Sequence, residues 1–290
     1  MRYRKPHDYG RLGYHLNASG PAGVPVSFRL GGLTYRRLQV FKHDFFAATA
    51  LYGLDDSRAD KAGATGGGPV ERVVLKLNRN APFLGIPLGW LGRELTDHEY
   101  NNLKLMQGTR GIPVLLGRFE TNGLVYAFVE GRTLAERPSV PDDFFDQLNQ
   151  IVEAMHQRGM AYVDLNKRGN IILGQDQQCY LIDFQISWQG RCGLAVLDWL
   201  CGRLLNLLQQ EDFYHIRKHK RRFRPDLMSP GERQASRRLS LWIRLHRRLT
   251  RPLTLLRRRV LAHLYRRGEL SFDDVESFNS ETNPERFARR

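Results

Sequence analysis

Three short strings constrain the fold of this chain more than any other feature, because each joins a polar or charged residue to an apolar run. Val73–Lys76 alternates as a β-strand does and ends on a lysine. Leu181–Phe184 reads Leu-Ile-Asp-Phe and predicts a buried strand that ends on an aspartate. Between them, Tyr162–Ile172 predicts a loop that presents Asp164 and Asn170. The chain must therefore combine sheet with the helical patterns that lie between these strings.

Composition excludes several other classes of protein. With 290 residues, of which 41% are hydrophobic, the chain can bury a substantial core. The longest apolar stretch, residues 193–208, contains Asp198 and Arg203 and falls short of the roughly 20 residues that a bilayer span needs. The first ten residues hold no apolar run, so we expect no signal peptide and a cytoplasmic protein. The three cysteines lack metal-ligand spacing and are expected to be reduced thiols.

Hydrophobic periodicity predicts an α+β protein with two lobes. Residues 1–30 read as an irregular leader, and 31–130 as a small lobe with five antiparallel strands and one helix near Asp97–Met106. Residues 131–267 read as a larger, mostly helical lobe, followed by a polar tail over 268–290. Within the larger lobe, the apolar stripe from Phe144 to Met155 has helical spacing and predicts core.

The polar residues of the three strings suit the transfer of a phosphoryl group, which demands cations and metal ions rather than covalent chemistry. Lys76 could neutralise the α- and β-phosphates of ATP. A helical carboxylate would hold it in place, with Glu99 as the first choice and Glu94 as the second. An ordinary exposed lysine on an edge strand is the alternative interpretation of Lys76.

The two later strings could supply a base and a metal site. Asp164 could accept a proton from an attacking hydroxyl. Asn170 and Asp183 offer oxygens for Mg²⁺, and Asn166 is a rival to Asn170. For an isolated Asp-Phe string, an ordinary turn is the simpler interpretation.

In this order the strings resemble the protein-kinase-like superfamily over about residues 33–198. The resemblance implies a two-lobe protein-kinase-like fold with ATP and Mg²⁺ in the cleft. It also implies an adenine-binding hinge at Ala127 and Val129 and a weak contribution from Thr49 in the first hairpin. Asp198 would brace the catalytic loop, unless it is an ordinary solvated helix residue.

The chain departs from the superfamily pattern in several places. Tyr162-Val163-Asp164 stands where His-Arg-Asp is usual, and Asp183-Phe184-Gln185 where Asp-Phe-Gly is usual. Asn170 lies one residue later than the common spacing. The first hairpin lacks a glycine triplet, and fourteen residues without Ala-Pro-Glu separate Asp183 from Asp198. The pattern thus favours retained chemistry without the peptide-docking segment of classical protein kinases.

Positive charge is concentrated in residues 217–267, which hold 18 Lys and Arg against two acidic residues, while the net charge of the whole chain is +15. A solvated helical face, an anionic membrane surface and nucleic acid are the alternatives, and scarce aromatic residues disfavour nucleic acid. The string Asp212–Arg222 is similar to bacterial lipopolysaccharide core kinases, which implies a membrane-associated glycolipid acceptor and peripheral binding to the inner membrane. An atypical serine/threonine protein kinase acting on a protein hydroxyl, and a pseudokinase scaffold at membrane or RNA, remain alternatives.

Overall fold

A computed structural model describes residues 18–19, 23–43, 45–55, 69–82, 86–190 and 195–236, without the side chains of 195–197. The described chain mixes an antiparallel sheet with helices, which confirms the predicted α+β class. It divides into two compact units. Among the described residues, unit 1 comprises those up to Thr96 together with Leu116–Ala127, and unit 2 comprises Asp97–Leu115 and those from Phe128 onwards. The predicted leader lies largely outside the described residues, and the polar tail and the basic segment beyond Ser236 lie wholly outside them.

Unit 1 is built on a six-stranded sheet in the order β1-β2-β3-β4-β6-β5. The neighbours β1 and β2, β2 and β3, β3 and β4, and β4 and β6 pair antiparallel. The strands are β1 (Ser27–Leu30), β2 (Leu33–His43), β3 (Ala47–Leu54), β4 (Arg72–Asn78), β5 (Leu115–Phe119) and β6 (Gly123–Ala127). The described sheet thus has one strand more than the five predicted, because β1 falls in the stretch interpreted as an irregular leader.

The strand that carries the predicted lysine is central in this sheet, so an edge-strand position for Lys76 is wrong. Val73, Leu75 and Leu77 of β4 join the hydrophobic core on one face of the sheet. Lys76 lies on the other face and is 6% exposed. Its register partners are Thr49 on β3 and Leu124 on β6. The alternation of Val73–Lys76 therefore puts a buried ammonium group in the middle of the sheet.

Helix α1 (Gly89–Leu105) begins eight residues before the predicted start at Asp97. Its first turns contain glycines where the sequence offers no regular apolar face. A Cβ at Gly92 would lie 1.8 Å from the carbonyl oxygen of Arg79, so only glycine permits this approach of the helix to the residue after β4. Close backbone packing, rather than amphipathic periodicity, sets the start of α1.

Within the described residues, unit 2 contains the part of α1 from Asp97 onwards, a second sheet and three further α-helices. The sheet order is β7-β8-β9, and the predicted Phe144–Met155 stripe is buried along α2, which confirms it as core. The elements are β7 (Gly131–Thr133), α2 (Phe144–Gln157), β8 (Ile171–Gly174), β9 (Cys179–Leu181), α3 (Ala195–Phe223) and α4 (Pro230–Ala235).

Two further expectations concern cysteine chemistry and membrane insertion. Cys179 is a free, buried thiol, but Cys201 is disulfide-bonded, so the expectation of three reduced thiols is wrong. Among the described helices, none has the length and apolar character that crossing a bilayer requires.

Candidate active site

Hydrogen bonds on both sides of Asp164 fix the loop that follows α2. Ala161 forms a two-way antiparallel bridge with Trp188, with both N–H···O distances at 2.9 Å. The next residue, Tyr162, is fully buried, and its hydroxyl donates to the carbonyl oxygen of Ile182. The backbone N–H of Lys167 donates to the Asp164 carbonyl at 3.0 Å, which closes the loop on itself. The position of Asp164 is therefore determined by backbone bonds on both sides.

The buried carboxylate of Asp212 on α3 braces this loop through hydrogen bonds. Asp212 Oδ2 accepts from the Tyr162 N–H at 2.8 Å, and Oδ1 accepts from the Val163 N–H at 3.0 Å. His156 Nε2 lies 3.1 Å from the same Oδ2. Asp198, to which the resemblance assigned this role, is exposed on α3, so the alternative interpretation as a solvated helix residue holds. The brace lies fourteen residues later, in the string that carried the second resemblance.

Both positively and negatively charged groups act on the Asp164 carboxyl. Lys167 Nζ is 2.7 Å from Asp164 Oδ2, and Asn170 Nδ2 donates to the same oxygen at 3.3 Å. Burial raises the pKa of the Asp164 carboxyl, and the negative charge of Asp183 adds to this effect, while Lys167 and Asn170 oppose it. A carboxyl group is a suitable proton acceptor when its pKa is raised and a nearby cation still stabilises its charged form. The sequence interpretation missed Lys167, although it lies only three residues from Asp164.

Asp183 follows the end of β9, and its charge acts on Asp164. The Ile182 N–H donates to the Asn170 carbonyl at 3.0 Å, which ties the two strings together. Asp183 has φ +64° and Val163 has φ +72°, backbone values that non-glycine residues rarely adopt. Such strain persists only where the surroundings impose it, and it is often found at functional sites. Asp164, Asn170 and Asp183 therefore form one group, which we call the acidic centre.

The chain after Asp183 is held by polar side chains of α1. Asn102 Nδ2 donates to the carbonyl oxygens of Phe184 and Ser187, at 3.2 and 3.0 Å. His98 Nε2 is 2.6 Å from the same Ser187 oxygen. The sequence interpretation missed Asn102, whose position on a predicted helix gave no sign of this contact. Glu99 lies on the same helix and is 2% exposed, whereas Glu94 is exposed.

The two asparagines proposed as metal ligands behave differently. Asn170 is 6% exposed and contacts Asp164, as given above. Asn166 is exposed, and its Oδ1 accepts from Lys218 Nζ at 2.8 Å. These contacts favour Asn170 over Asn166 as a member of the acidic centre.

The remaining predicted residues lie on the sheet of unit 1 or at its last strand. Thr49 and Lys76 are directly opposite each other on β3 and β4. Ala127 is the last residue of β6, and Val129 lies in the short link between β6 and β7. Phe128 and Val129 of this link are half-buried, and Glu130 is exposed. The structure thus groups the predicted residues into a pair in unit 1 and the acidic centre in unit 2.

Within the acidic centre, Asp183 and Asn170 offer the donor chemistry that Mg²⁺ prefers, namely a carboxylate and an amide oxygen. A protein commonly binds Mg²⁺ through one or two carboxylates, with substrate phosphates and water completing the shell. In the described part of the chain, no cluster of three or more His, Cys, Asp and Glu side chains could hold a metal ion without such help. The centre therefore fits a magnesium ion that arrives with phosphates rather than a permanent all-protein metal site.

Comparison with known proteins adds no assignment. No protein-family model matches the sequence, and no curated protein matches it significantly.

Proposed function

We propose that this protein is an ATP- and Mg²⁺-dependent phosphotransferase with a protein-kinase-like fold, which phosphorylates a hydroxyl group of a membrane-associated glycolipid. The observation that carries the proposal is the acidic centre, in which Asp164, Asn170 and Asp183 meet on a loop braced by Asp212. The order of these residues along the chain, after a lysine on a central strand, adds further support.

In this proposal Asp164 orients the acceptor hydroxyl and takes its proton. Its raised pKa increases its basicity, and the Lys167 ammonium at 2.7 Å supports the carboxylate form. The brace from Asp212 keeps the loop from moving when the acceptor binds. Positioning of this kind is the main contribution that a protein can make to phosphoryl transfer.

Asp183 and Asn170 would hold the magnesium ion, which would neutralise charge on the transferred group when it is bound. Lys76 would contact the α- and β-phosphates, with Glu99 as its carboxylate partner. Ala127 and Val129 would meet the adenine through backbone groups, and Thr49 lies opposite Lys76 in the sheet.

A glycolipid acceptor is favoured by positive charge at the end of α3. Its last turn contains Arg222, which is exposed and has no carboxylate partner among the described residues, and such a cation suits an anionic substrate embedded at a membrane surface. Each basic residue near such a surface adds about 1 kcal/mol to binding. A protein hydroxyl would require a docking segment for a peptide, and few residues are present between Asp183 and α3.

The direct test is transfer of labelled γ-phosphate from ATP by the purified chain, with lipopolysaccharide and a panel of proteins offered as acceptors. We expect label in lipopolysaccharide, and none with Asp164→Asn. The matched control is Asp146→Asn, which alters an exposed carboxylate on α2. Label on serine or threonine of a protein would support a protein kinase instead. Binding of ATP without any transfer would support a pseudokinase scaffold.

A further inference from the structure

Two groups of basic side chains, one at the end of α3 and one around the loop of the acidic centre, differ in their partners. In the first group each side chain binds another part of the protein. Lys220 pairs with Glu232 at 3.2 Å, Arg221 donates to the Ser236 carbonyl at 2.8 Å, and Arg224 pairs with Asp142 at 2.6 Å. These contacts stabilise the packing of α3, so the solvated or structural interpretation suffices for this group.

The second group comprises Arg137, Arg168 and Arg222, which we call the arginine cluster. Among the described residues, no carboxylate pairs with any of the three guanidinium groups. The Nη1 atom of Arg168 is buried and has no hydrogen-bond partner. Buried guanidinium donors are nearly always paired, because removing them from water without compensation is costly. The protein nevertheless leaves this buried donor of Arg168 without a partner, and a ligand that supplies the missing acceptor would explain it.

The arginine cluster flanks the loop of the acidic centre. Arg168 begins the 3₁₀ turn Arg168–Asn170, only four residues after Asp164. Helix α3 is fastened to the same loop, because His219 Nε2 donates to the Leu165 carbonyl at 2.8 Å. Arg222 follows His219 by three positions, so both residues lie on one face of the helix.

Arg137 reaches the cluster from a different element. The 3₁₀ turn Leu134–Glu136 packs against the turn Arg168–Asn170. Arg137 follows the first of these turns with φ +56°, a strained value for a residue with a side chain. The positive charges of Arg137 and Arg222 both act on the Arg168 guanidinium, whose pKa is lowered mainly by burial and further by these two charges.

Three cations held close together without an anion repel one another, and a bound anion would remove the repulsion. Guanidinium groups bind phosphate through paired N–H donors, which fits a phosphomonoester with its two negative charges and three terminal oxygens. We propose that Arg137, Arg168 and Arg222 bind a phosphoryl group that the acceptor already carries, so that the enzyme selects a phosphorylated glycolipid. This inference rests on the proposed function for its link to catalysis, but the binding site itself can be tested without ATP.

The first experiment measures binding of the full chain, without nucleotide, to phosphatidylcholine vesicles that contain phosphatidic acid. Vesicles with phosphatidylglycerol at equal surface charge present a phosphodiester instead. We expect tighter binding to the phosphomonoester vesicles and competition by inorganic phosphate at constant ionic strength. Arg168→Gln with Arg222→Gln should weaken binding at least about fivefold. Arg203→Gln, on the same helix but outside the cluster, should change it by less than about twofold.

A second measurement separates this site from a purely structural role. Because the half-buried Arg168 has no carboxylate partner among the described residues, Arg168→Gln should not lower the melting temperature. Inorganic phosphate should raise the melting temperature of the wild type more than that of the variant. Arg222 is exposed, so Arg222→Gln alone tests the site if Arg168→Gln does not fold.

Equal binding to both vesicle types, or equal losses from Arg203→Gln and the cluster variants, would overturn the proposal, because charge alone would then explain binding. Preference for RNA over the phosphomonoester vesicles would also overturn it. If the cluster binds phosphate but the chain transfers none from ATP, the site stands and the proposed function fails. If transfer occurs with unchanged KM in Arg222→Gln, the function stands and the inferred role of the cluster fails.

Discussion

The acidic centre and the arginine cluster share the 3₁₀ turn Arg168–Asn170, yet their charged groups differ in whether the protein supplies a partner of opposite charge. Asp164 has a cation at 2.7 Å and an amide at 3.3 Å, and its loop is braced by a carboxylate with three hydrogen-bonding contacts. The arginine cluster has no carboxylate partner among the described residues, and one of its guanidinium nitrogens is buried without a hydrogen bond. The first region is organised before any ligand binds, whereas the second is completed by an anion.

The largest expected effect comes from removing the base of the acidic centre. Asp164→Asn keeps the shape of the side chain but cannot take a proton, so we expect kcat to fall by about 10³-fold. Phosphate transfer from labelled ATP is the measurement, with Asp146→Asn as the control. A loss of less than about threefold in Asp164→Asn would show that the acidic centre is not catalytic.

Removing the brace tests whether the acidic centre depends on its support. Asp212→Ala leaves two backbone N–H groups and His156 without their acceptor, which should lower the free energy of unfolding by about 3 kcal/mol. Asp198→Ala removes an exposed carboxylate from the first turn of the same helix and should cost at most about 1 kcal/mol. Denaturant unfolding compares the two variants, and equal losses would contradict the assigned brace.

His219 connects the two regions and should make the protein sensitive to acid. Burial, together with the nearby charges of Lys218, Arg168 and Arg222, lowers the pKa of His219 from 6.5 to about 4. Below pH 6.5 the unfolded chain therefore binds a proton that the folded chain does not, so stability falls as the pH drops towards 4. This one residue should account for about 3 kcal/mol across that range.

His219→Gln should flatten that part of the stability curve, because glutamine does not titrate and its amide can donate to the Leu165 carbonyl. Denaturant melts between neutral pH and pH 4 would measure the effect. The same slope in wild type and variant would show that His219 is not held neutral in the folded protein.

The smallest expected effect comes from the ion pair inside the acidic centre. Lys167 lowers the pKa of Asp164, so Lys167→Met should raise this pKa and move the acid limb of kcat/KM to higher pH. At pH values below this acid limb, kcat/KM of Lys167→Met should be about tenfold lower than that of the wild type. Lys167→Arg should keep the wild-type profile, and a shift of equal size in both variants would contradict the electrostatic explanation.

The sequence predicted those parts of the fold that periodicity encodes. The stripe on α2 and the alternation on β4 were correct, because apolar side chains at regular spacing must face a core. The start of α1 was not predictable in this way, since it depends on the approach of Gly92 to the Arg79 backbone. Contacts of this kind are long-range and leave no periodic signal.

The sequence indicated the three residues of the acidic centre but not the residues that support them. Asp164 and Asp183 follow apolar runs, and such positions are visible in the sequence. Asp212 and Asn102 act through backbone N–H and C=O groups of residues far along the chain. The family resemblance implied Asp198 as the brace, but only the structure shows which aspartate on α3 meets the loop.

The most direct test of the account is calorimetry of ATP binding to the folded protein with and without magnesium. We predict that ATP binds only with magnesium, that Asp183→Asn removes most of the binding, and that Asp146→Asn leaves it unchanged. If folded wild-type protein shows no magnesium-dependent binding of ATP, or if Asp183→Asn binds as the wild type does, the acidic centre does not handle nucleotide and the phosphotransferase proposal is wrong.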